Sequence, residues 1–246
     1  MPKYFENRFM AKGLISAATV FCMMLPIASH AADDKGTAEK DRMTAAGDVM
    51  HESLYGHSGI PLDVLNKAEC VIVLPSVKKA AFIVGASYGR GVMTCRGGAN
   101  MNGPWSVPSF MQSTGGSFGL QAGGQATDYI LLVMNDKGAR TVMNGKVKLG
   151  ADASIAAGPI GRTSEAATNG IMSAELLSYS HTQGVFAGLS LSGSTLGGDE
   201  DANANFYGKK LSATQIIVNK AVPMPVEAKK LIATLTAKSP HNTSKK

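Results

Sequence analysis

Serine, histidine, acidic and cysteine residues stand at a few spacings where this chain could do chemistry. Gly85-Ala86-Ser87-Tyr88-Gly89 and Gly115-Gly116-Ser117-Phe118-Gly119 each match G-x-S-x-G, the pattern that exposes a nucleophilic serine on a strained turn between strand and helix. Asp128 and His181 are nominal partners for such a serine. The residues that follow, Arg90-Gly91-Val92-Met93-Thr94-Cys95 and Leu120-Gln121-Ala122-Gly123, read as strand rather than helix. A chain with 28 glycines also produces the pattern by chance. A serine hydrolase using Ser87 or Ser117 is therefore the alternative reading, not the leading one. Ser76-Val77-Lys78-Lys79 fits S-x-x-K, but with no S-D-N or K-T-G partner it reads as a β-turn.

Metal and cofactor chemistry fare no better. There is no H-E-x-x-H, and no cysteine pair has zinc spacing. Asp199, Asp201 and Asn203 begin like a calcium loop, yet Ala204 replaces the glycine and Lys210 stands where the bidentate glutamate belongs. A solvated acidic loop is the expectation. No phosphate-loop or dinucleotide-binding glycine pattern lies between a strand and a helix. The expectation is a chain with no catalytic residue, no metal and no cofactor.

Charge is the more informative chemistry. The whole chain has a formal charge of +6, and it is unevenly spread. From Ala32 to Ala204 there are 13 basic and 16 acidic residues, or −3; from Asn205 onward eight lysines face Glu227 alone, or +7. Such asymmetry points to an anionic surface.

The first 31 residues decide which surface. Lys3, Arg8 and Lys12 precede an apolar run, Gly13 to Ile27, that ends at Ser29-His30-Ala31. This is the three-part layout of a cleaved secretory signal. The run is about fifteen residues, short of the roughly twenty that span a bilayer. Phe21 before Cys22 excludes a lipid anchor there. Removing the signal lowers the formal charge to +4, because Lys3, Arg8 and Lys12 leave with Glu6. Export makes nucleic acid a poor partner and a membrane or phospholipid surface a good one. The expected location is periplasmic or secreted, peripheral to the envelope membrane; protein partners are left open.

Of three cysteines, Cys22 leaves with the signal, so Cys70 and Cys95 remain. An even pair in an oxidising compartment reads as one disulfide. If 70–75, 80–88 and 91–96 form a simple meander, however, the first and third strands lie about 9.6 Å apart. A disulfide needs Cα atoms within about 7 Å. Either the strand order differs, or the ends bend together, or the thiols stay free; the bond is favoured.

The elements that must position these residues follow from periodicity. Ala38 to Tyr55 carries a helical stripe of Met43, Ala46, Val49, Met50, Ser53 and Leu54. Pro61 opens a short helix from Leu62 to Ala68. Then Cys70–Leu74, Ala80–Tyr88, Gly91–Cys95, Trp105–Gln112, Ser117–Ala122, Asp128–Met134, Ala151–Ala157, Ala174–Tyr179 and Gly184–Ser192 read as strands. Gly89-Arg90 and Asn135-Asp136-Lys137-Gly138 read as turns, and His181-Thr182-Gln183-Gly184 as a hairpin. Ile130-Leu131-Leu132-Val133-Met134 is apolar on both faces and needs cover on both sides, with the N-terminal helices and the C-terminal segment as the obvious covers. The expected fold is α+β and mostly antiparallel: one barrel- or sandwich-like β domain (70–208), after a helical segment (32–69) and before a basic helical segment and tail (209–246).

Four motifs follow one another along the chain. The first two are Ala68-Glu69-Cys70-Val71-Ile72-Val73-Leu74-Pro75-Ser76-Val77-Lys78-Lys79-Ala80 and Val84-Gly85-Ala86-Ser87-Tyr88-Gly89-Arg90-Gly91. Gly116-Ser117-Phe118-Gly119-Leu120-Gln121-Ala122-Gly123-Gly124-Gln125 and Gly150-Ala151-Asp152-Ala153-Ser154-Ile155-Ala156-Ala157-Gly158-Pro159 complete the set. In this order they resemble the SYLF domain. The resemblance runs from about Val64 to Gly208. It implies a lipid-binding module without catalysis, as in the family's exported bacterial branch. The basic helix that eukaryotic relatives place ahead of the domain is poorly matched by Ala38–Tyr55, which holds Glu39, Asp41, Asp48 and Glu52. Candidate lipid contacts are Lys78, Lys79, Arg90 and Arg96 within the SYLF-like segment, and Lys209, Lys210, Lys229 and Lys230 beyond it. From Pro225, Ala228, Leu231, Ile232 and Leu235 form one stripe, with Lys229 and Lys230 on another side. That helix either docks on its own domain or lies in a membrane interface.

Overall fold

A straight strand of 26 residues would run about 85 Å, whereas a domain of about 200 residues is roughly 45 Å across. The longest strand here must therefore curl, and the computed structural model shows how. It describes residues 36–56, 59–98, 100–159, 173–182, 185–187, 191 and 193–244, with the backbone but not the side chains of 80–84, 117–125, 182 and 185–187. The signal segment 1–31 and its cleavage point, residues 32–35, His57 and most of the Gly184–Ser192 stretch lie outside the described residues.

Strand β1 (Cys70–Cys95) pairs antiparallel with β2 (Ser109–Val133) along nearly their whole lengths, from Cys70 opposite Val133 to Met93 opposite Ser109. Register shifts between Leu74 and Val77 and between Ala81 and Ile83 bend this hairpin, as bulges do. β1 consequently doubles back on itself. The Arg96 amide donates to the Glu69 carbonyl at 2.8 Å, and Cys70 and Cys95 are joined with Cα atoms 3.9 Å apart. The expected meander is thus corrected. Gly89-Arg90 is not a turn but part of one continuous strand, and that strand's two halves lie side by side. A Cβ on Gly91 would sit 1.9 Å from the Val73 carbonyl oxygen, and one on Gly89 would sit 2.6 Å from Val77. Gly91 is required for close backbone approach, while Gly89 makes room for the Val77 side chain.

The other edge of β2 is shared. Residues 128–133 pair with β5 (Leu176–Thr182), and residues 111–114 with β7 (Thr195–Gly198). β3 (Val147–Lys148) adds to β7, β4 (Ile155–Ala157) runs parallel to β5, and β6 (Val185–Ala187) pairs with β5, Thr182 opposite Val185. The hairpin expected around 181–184 is therefore present. Among the described residues the result is one seven-stranded, mostly antiparallel sheet curled into a half-barrel, within a single unit from Asp34 to Lys246.

Both faces of the sheet are buried, as the doubly apolar run Ile130–Met134 requires. Ile130 and Leu132, with Val71, Val73, Phe110 and Tyr179, meet one helical layer. That layer is α1 (Thr37–Tyr55), through Met43, Ala46 and Met50, and α6 (Lys229–Lys238), through Leu231 and Leu235. A short helix α2 (Leu62–Leu65) and a 3₁₀ turn (Val226–Ala228) complete it. The C-terminal helix is accordingly docked on its own domain. Lys230 Nζ donates to Asp48 on α1 at 2.6 Å.

The opposite face, with Ile72, Leu74, Met111, Leu131 and Val133, is covered by α3 (Asp136–Asn144) and α5 (Ala213–Ile217). Of these covers α5 belongs to the expected C-terminal segment, whereas α3 is not an expected helix. Asn135–Gly138 is no loop either. The Asn135 side chain accepts from the Gly138 amide at 2.9 Å and caps α3. Asparagine, aspartate and glycine serve helix starts and turns alike, so the residues matched and the element did not. The acidic stretch 199–203 is corrected in the same way. Asp199 is buried and caps α4 (Glu200–Tyr207), accepting from the Ala202 amide at 3.0 Å.

Closure of β1 on itself is testable by substitution. Gly91→Ala should lower the free energy of unfolding in urea by about 2 kcal/mol or more, the scale of an overpacked core. Gly116→Ala, whose Cβ would have nothing within 4 Å, should change it by less than about 0.5 kcal/mol. Equal effects at the two positions would contradict the doubled-back strand.

Candidate functional site

Doubling back brings residues 75–78 beside 88–90, and α1 lies against the same strand. Met43 and Ala46 of α1 enter the core, which leaves Arg42 on the helix flank. The bulge after Leu74 places Ser76 at φ 50°, where its amide donates to Asp128 Oδ1 at 2.7 Å. Lys78 just beyond is exposed. Arg42, Pro75, Ser76, Lys78, Tyr88, Gly89 and Arg90 together line a cleft of about 210 Å³. Sites for drug-sized molecules begin at about 300 Å³, so this one suits a small group.

The cleft's electrostatics are an alternating row. Arg90 Nε and Nη2 both lie 2.6 Å from Asp199 Oδ2. Glu39, buried on α1, lies 4.0 Å from Arg90 Nη1 and 3.7 Å from Arg42 Nη1. With Lys78 this makes three cations against two carboxylates. Arg42 Nη1 is buried and makes no hydrogen bond. Burial, and then the charge of Arg90, hold the Arg42 guanidinium below its ordinary pKa. Burial also opposes the charge of Arg90, but the hydrogen bond and charge of Asp199 outweigh it and raise that pKa. Arg90 is thus satisfied by the protein, and Arg42 is not. An anion entering beside Arg42 and Lys78 would balance the excess positive charge.

The sequence-derived basic residues are otherwise dispersed. Lys78 and Arg90 are brought together; Arg42 and Tyr88 join them without having been singled out. Arg96 is 1% exposed and is a core ion rather than a surface contact. It donates to the Ala68 carbonyl at 3.1 Å and to Ser239 Oγ at 2.5 Å, and lies 4.3 Å from the Trp105 ring centroid. Burial pushes its pKa down to about 10. Lys79 donates to the Tyr129 hydroxyl at 2.6 Å. Lys210 lies 3.4 Å from Asp201, and Lys230 is held by Asp48. Lys209 and Lys229 are exposed. A second cavity, of about 280 Å³, is lined by Asp199, Glu200 and Asp201 against Lys146 and Lys210, and its carboxylates make it the poorer anion site.

Neither G-x-S-x-G serine stands on a strand-to-helix turn. The two motifs pair with each other across the β1–β2 ladder, Ser87 opposite Gly115 and Gly85 opposite Ser117. Ser87 Oγ donates to the Gly115 carbonyl at 3.4 Å. Asp128 and His181 do face each other, on β2 and β5, with Oδ2 3.7 Å from Nδ1. Small residues recurring on paired strands explain the motifs without a nucleophile. Among the described residues, no group of three His, Cys, Asp or Glu side chains could hold a metal ion, and no helix is long and apolar enough to cross a membrane.

Fold and cleft define an α+β domain built on one curled antiparallel sheet, with a small cationic cleft between α1 and the doubled β1. A family profile described as "Las17-binding protein actin regulator" matches residues 114–238. The chain belongs to this Ysc84 (SYLF) family, and the match continues past Gly208 through α6. It is 35% identical over 191 residues to an SH3 domain-containing protein of Schizosaccharomyces pombe, covering 76% of this chain and 43% of that one. LAS seventeen-binding protein 3 of Saccharomyces cerevisiae is 32% identical over 195 residues, 78% of this chain and 42% of its own length. Human SH3 domain-containing YSC84-like protein 1 is 32% identical over 173 residues, 70% and 49% respectively. The chain spans about half the length, or less, of these relatives.

The row of charges predicts unequal costs for its two arginines. Arg90→Gln leaves Asp199, 4% exposed, without its counter-ion and should destabilise by about 2–4 kcal/mol. Arg42→Gln should cost less than that, because Glu39 keeps Arg90 Nη1 at 4.0 Å. Urea denaturation of both variants measures the difference, and a costlier Arg42 substitution would refute the assignment.

Proposed function

We propose that the chain is an exported, non-catalytic protein that associates with anionic phospholipid surfaces. In this reading a lipid phosphate enters the cleft beside Arg42 and Lys78. The observation that carries it is a cleft with one more cation than carboxylates, in which Lys78 is exposed and the Arg42 side chain is 18% exposed. Arg90, anchored by Asp199, shapes the cleft wall.

Two further features support the reading. The segment 1–31 has the layout of an export signal, and a disulfide between Cys70 and Cys95 suits an oxidising compartment such as the periplasm. The excess of lysines after Asn205 favours the same partner, since each cation near an anionic bilayer contributes up to about 1 kcal/mol. Las17 binding and actin regulation describe the longer eukaryotic relatives, and an exported chain would meet neither partner.

Vesicle sedimentation tests this directly. The protein should pellet with phosphatidylglycerol-containing vesicles and not with pure phosphatidylcholine, and high salt should weaken the binding. An Arg42→Gln, Lys78→Gln double variant removes two cations, so its affinity should fall roughly thirtyfold. A Lys209, Lys210, Lys229 and Lys230→Gln variant measures the C-terminal share. Unchanged binding by the double variant would remove the cleft from the account. No binding to any vesicle would remove the membrane role.

A further inference from the structure

Six large apolar side chains are exposed among the described residues, and three of them fall within nine positions. Val218 is 53% exposed, Met224 40% and Val226 65%. They belong to the segment Val218–Val226, which joins α5 to the 3₁₀ turn preceding α6. Both of its ends are held. The amides of Val218 and Asn219 donate to the Thr214 carbonyl at 2.9 and 3.2 Å, and the Ala221 amide donates to the Gln215 carbonyl at 3.1 Å. At the far end Ala228 is buried against α1. Pro223 and Pro225 fix the chain between them. A tethered segment therefore presents apolar tips to water, and core packing does not account for them.

What surrounds the tips indicates the occupant. Lys220, within the segment, has φ 53° and is exposed, and Lys229 is exposed just after it. Glu227 is the only acidic residue after Asn205. The two prolines carry no amide hydrogen, which removes two donors that would have to be desolvated in an apolar phase. Apolar tips beside lysines match a bilayer boundary, where anionic headgroups lie next to acyl chains. Lysine is depleted from the centres of protein–protein interfaces, so a protein partner fits this surface less well.

We propose that Val218–Val226 is the membrane-inserting element, its Val218, Met224 and Val226 side chains entering the acyl boundary of an anionic bilayer while Lys220 and Lys229 stay among the headgroups. This rests on the proposed association with anionic phospholipid and adds a depth component distinct from the cleft.

The test uses full-length mature protein and mixed phosphatidylcholine–phosphatidylglycerol vesicles. A Met224→Trp variant places a reporter in the segment; the chain's single native tryptophan, Trp105, is buried and serves as background in the parent. The variant's emission should shift to the blue on vesicle addition and be quenched by lipids brominated on the acyl chain, with no such change in the parent. A Val218→Ser, Val226→Ser variant should keep its melting temperature, because both side chains are exposed, and bind the vesicles at least about tenfold more weakly. Emission that stays unshifted in a pelleted Met224→Trp protein would overturn the insertion and leave the phosphate-binding reading standing. Full binding by the double serine variant would do the same. Absence of binding by the parent would overturn both.

Discussion

The contact on which the rest of the structure depends is that of β1 with itself. Two halves of one strand approach so closely at Gly91 and Val73 that no side chain fits between them. The same ends are tied by the Glu69–Arg96 backbone hydrogen bond and by the Cys70–Cys95 bond. A long hairpin that closes in this way has two buried faces, one packed on α1 and α6 and the other on α3 and α5. It also sets residues 75–78 beside 88–90, and no cleft of this composition would exist if β1 ran straight.

Charge is handled in two ways along that strand. Arg96, where β1 ends, is taken out of water and held by the Ala68 carbonyl, Ser239 and the face of Trp105. An arrangement of this kind secures the segment after α6 to the end of β1, because an arginine left unpaired in the core is costly. Arg90, six residues earlier, is neutralised by Asp199, whose other carboxylate oxygen starts α4. Arg42 meets only the more distant Glu39. Arg42 and Arg96 each keep a buried Nη1 without a hydrogen bond, but of these two only Arg42 lines the cleft.

Local chemistry in the sequence was a good guide to part of this. The Met43–Met50 stripe marked α1, Pro61 marked the start of α2, and Ile130–Met134 announced a sheet buried on both faces. The residues around Asn135 and Asp199 carried the right chemistry for the wrong element, because capping and turn formation use the same side chains. Glycine misled in a different way. Gly89 reads as a turn residue, and the two G-x-S-x-G motifs read as elbows, because the partner that requires a missing side chain lies far off in sequence. Arg42 is inconspicuous in the sequence for the same reason. Nothing near it on α1 distinguishes it from any helical arginine, and only the return of β1 gives it a neighbour at residues 88–90. Lys78 and Arg90 were reachable through the family resemblance, while Arg96 shows that a basic residue in a family motif can belong to the core.

The central claim is that β1 is one strand folded against itself, and nuclear Overhauser spectroscopy of the labelled protein tests it most directly. The account predicts strong cross-peaks from the Gly91 α-protons to backbone protons of Val73 and Leu74, surviving alongside those of the β1–β2 ladder. A three-strand meander would keep these residues about 9.6 Å apart, beyond the reach of the experiment. Ladder cross-peaks with none between Gly91 and Val73 or Leu74 would contradict the closure and, with it, the cleft.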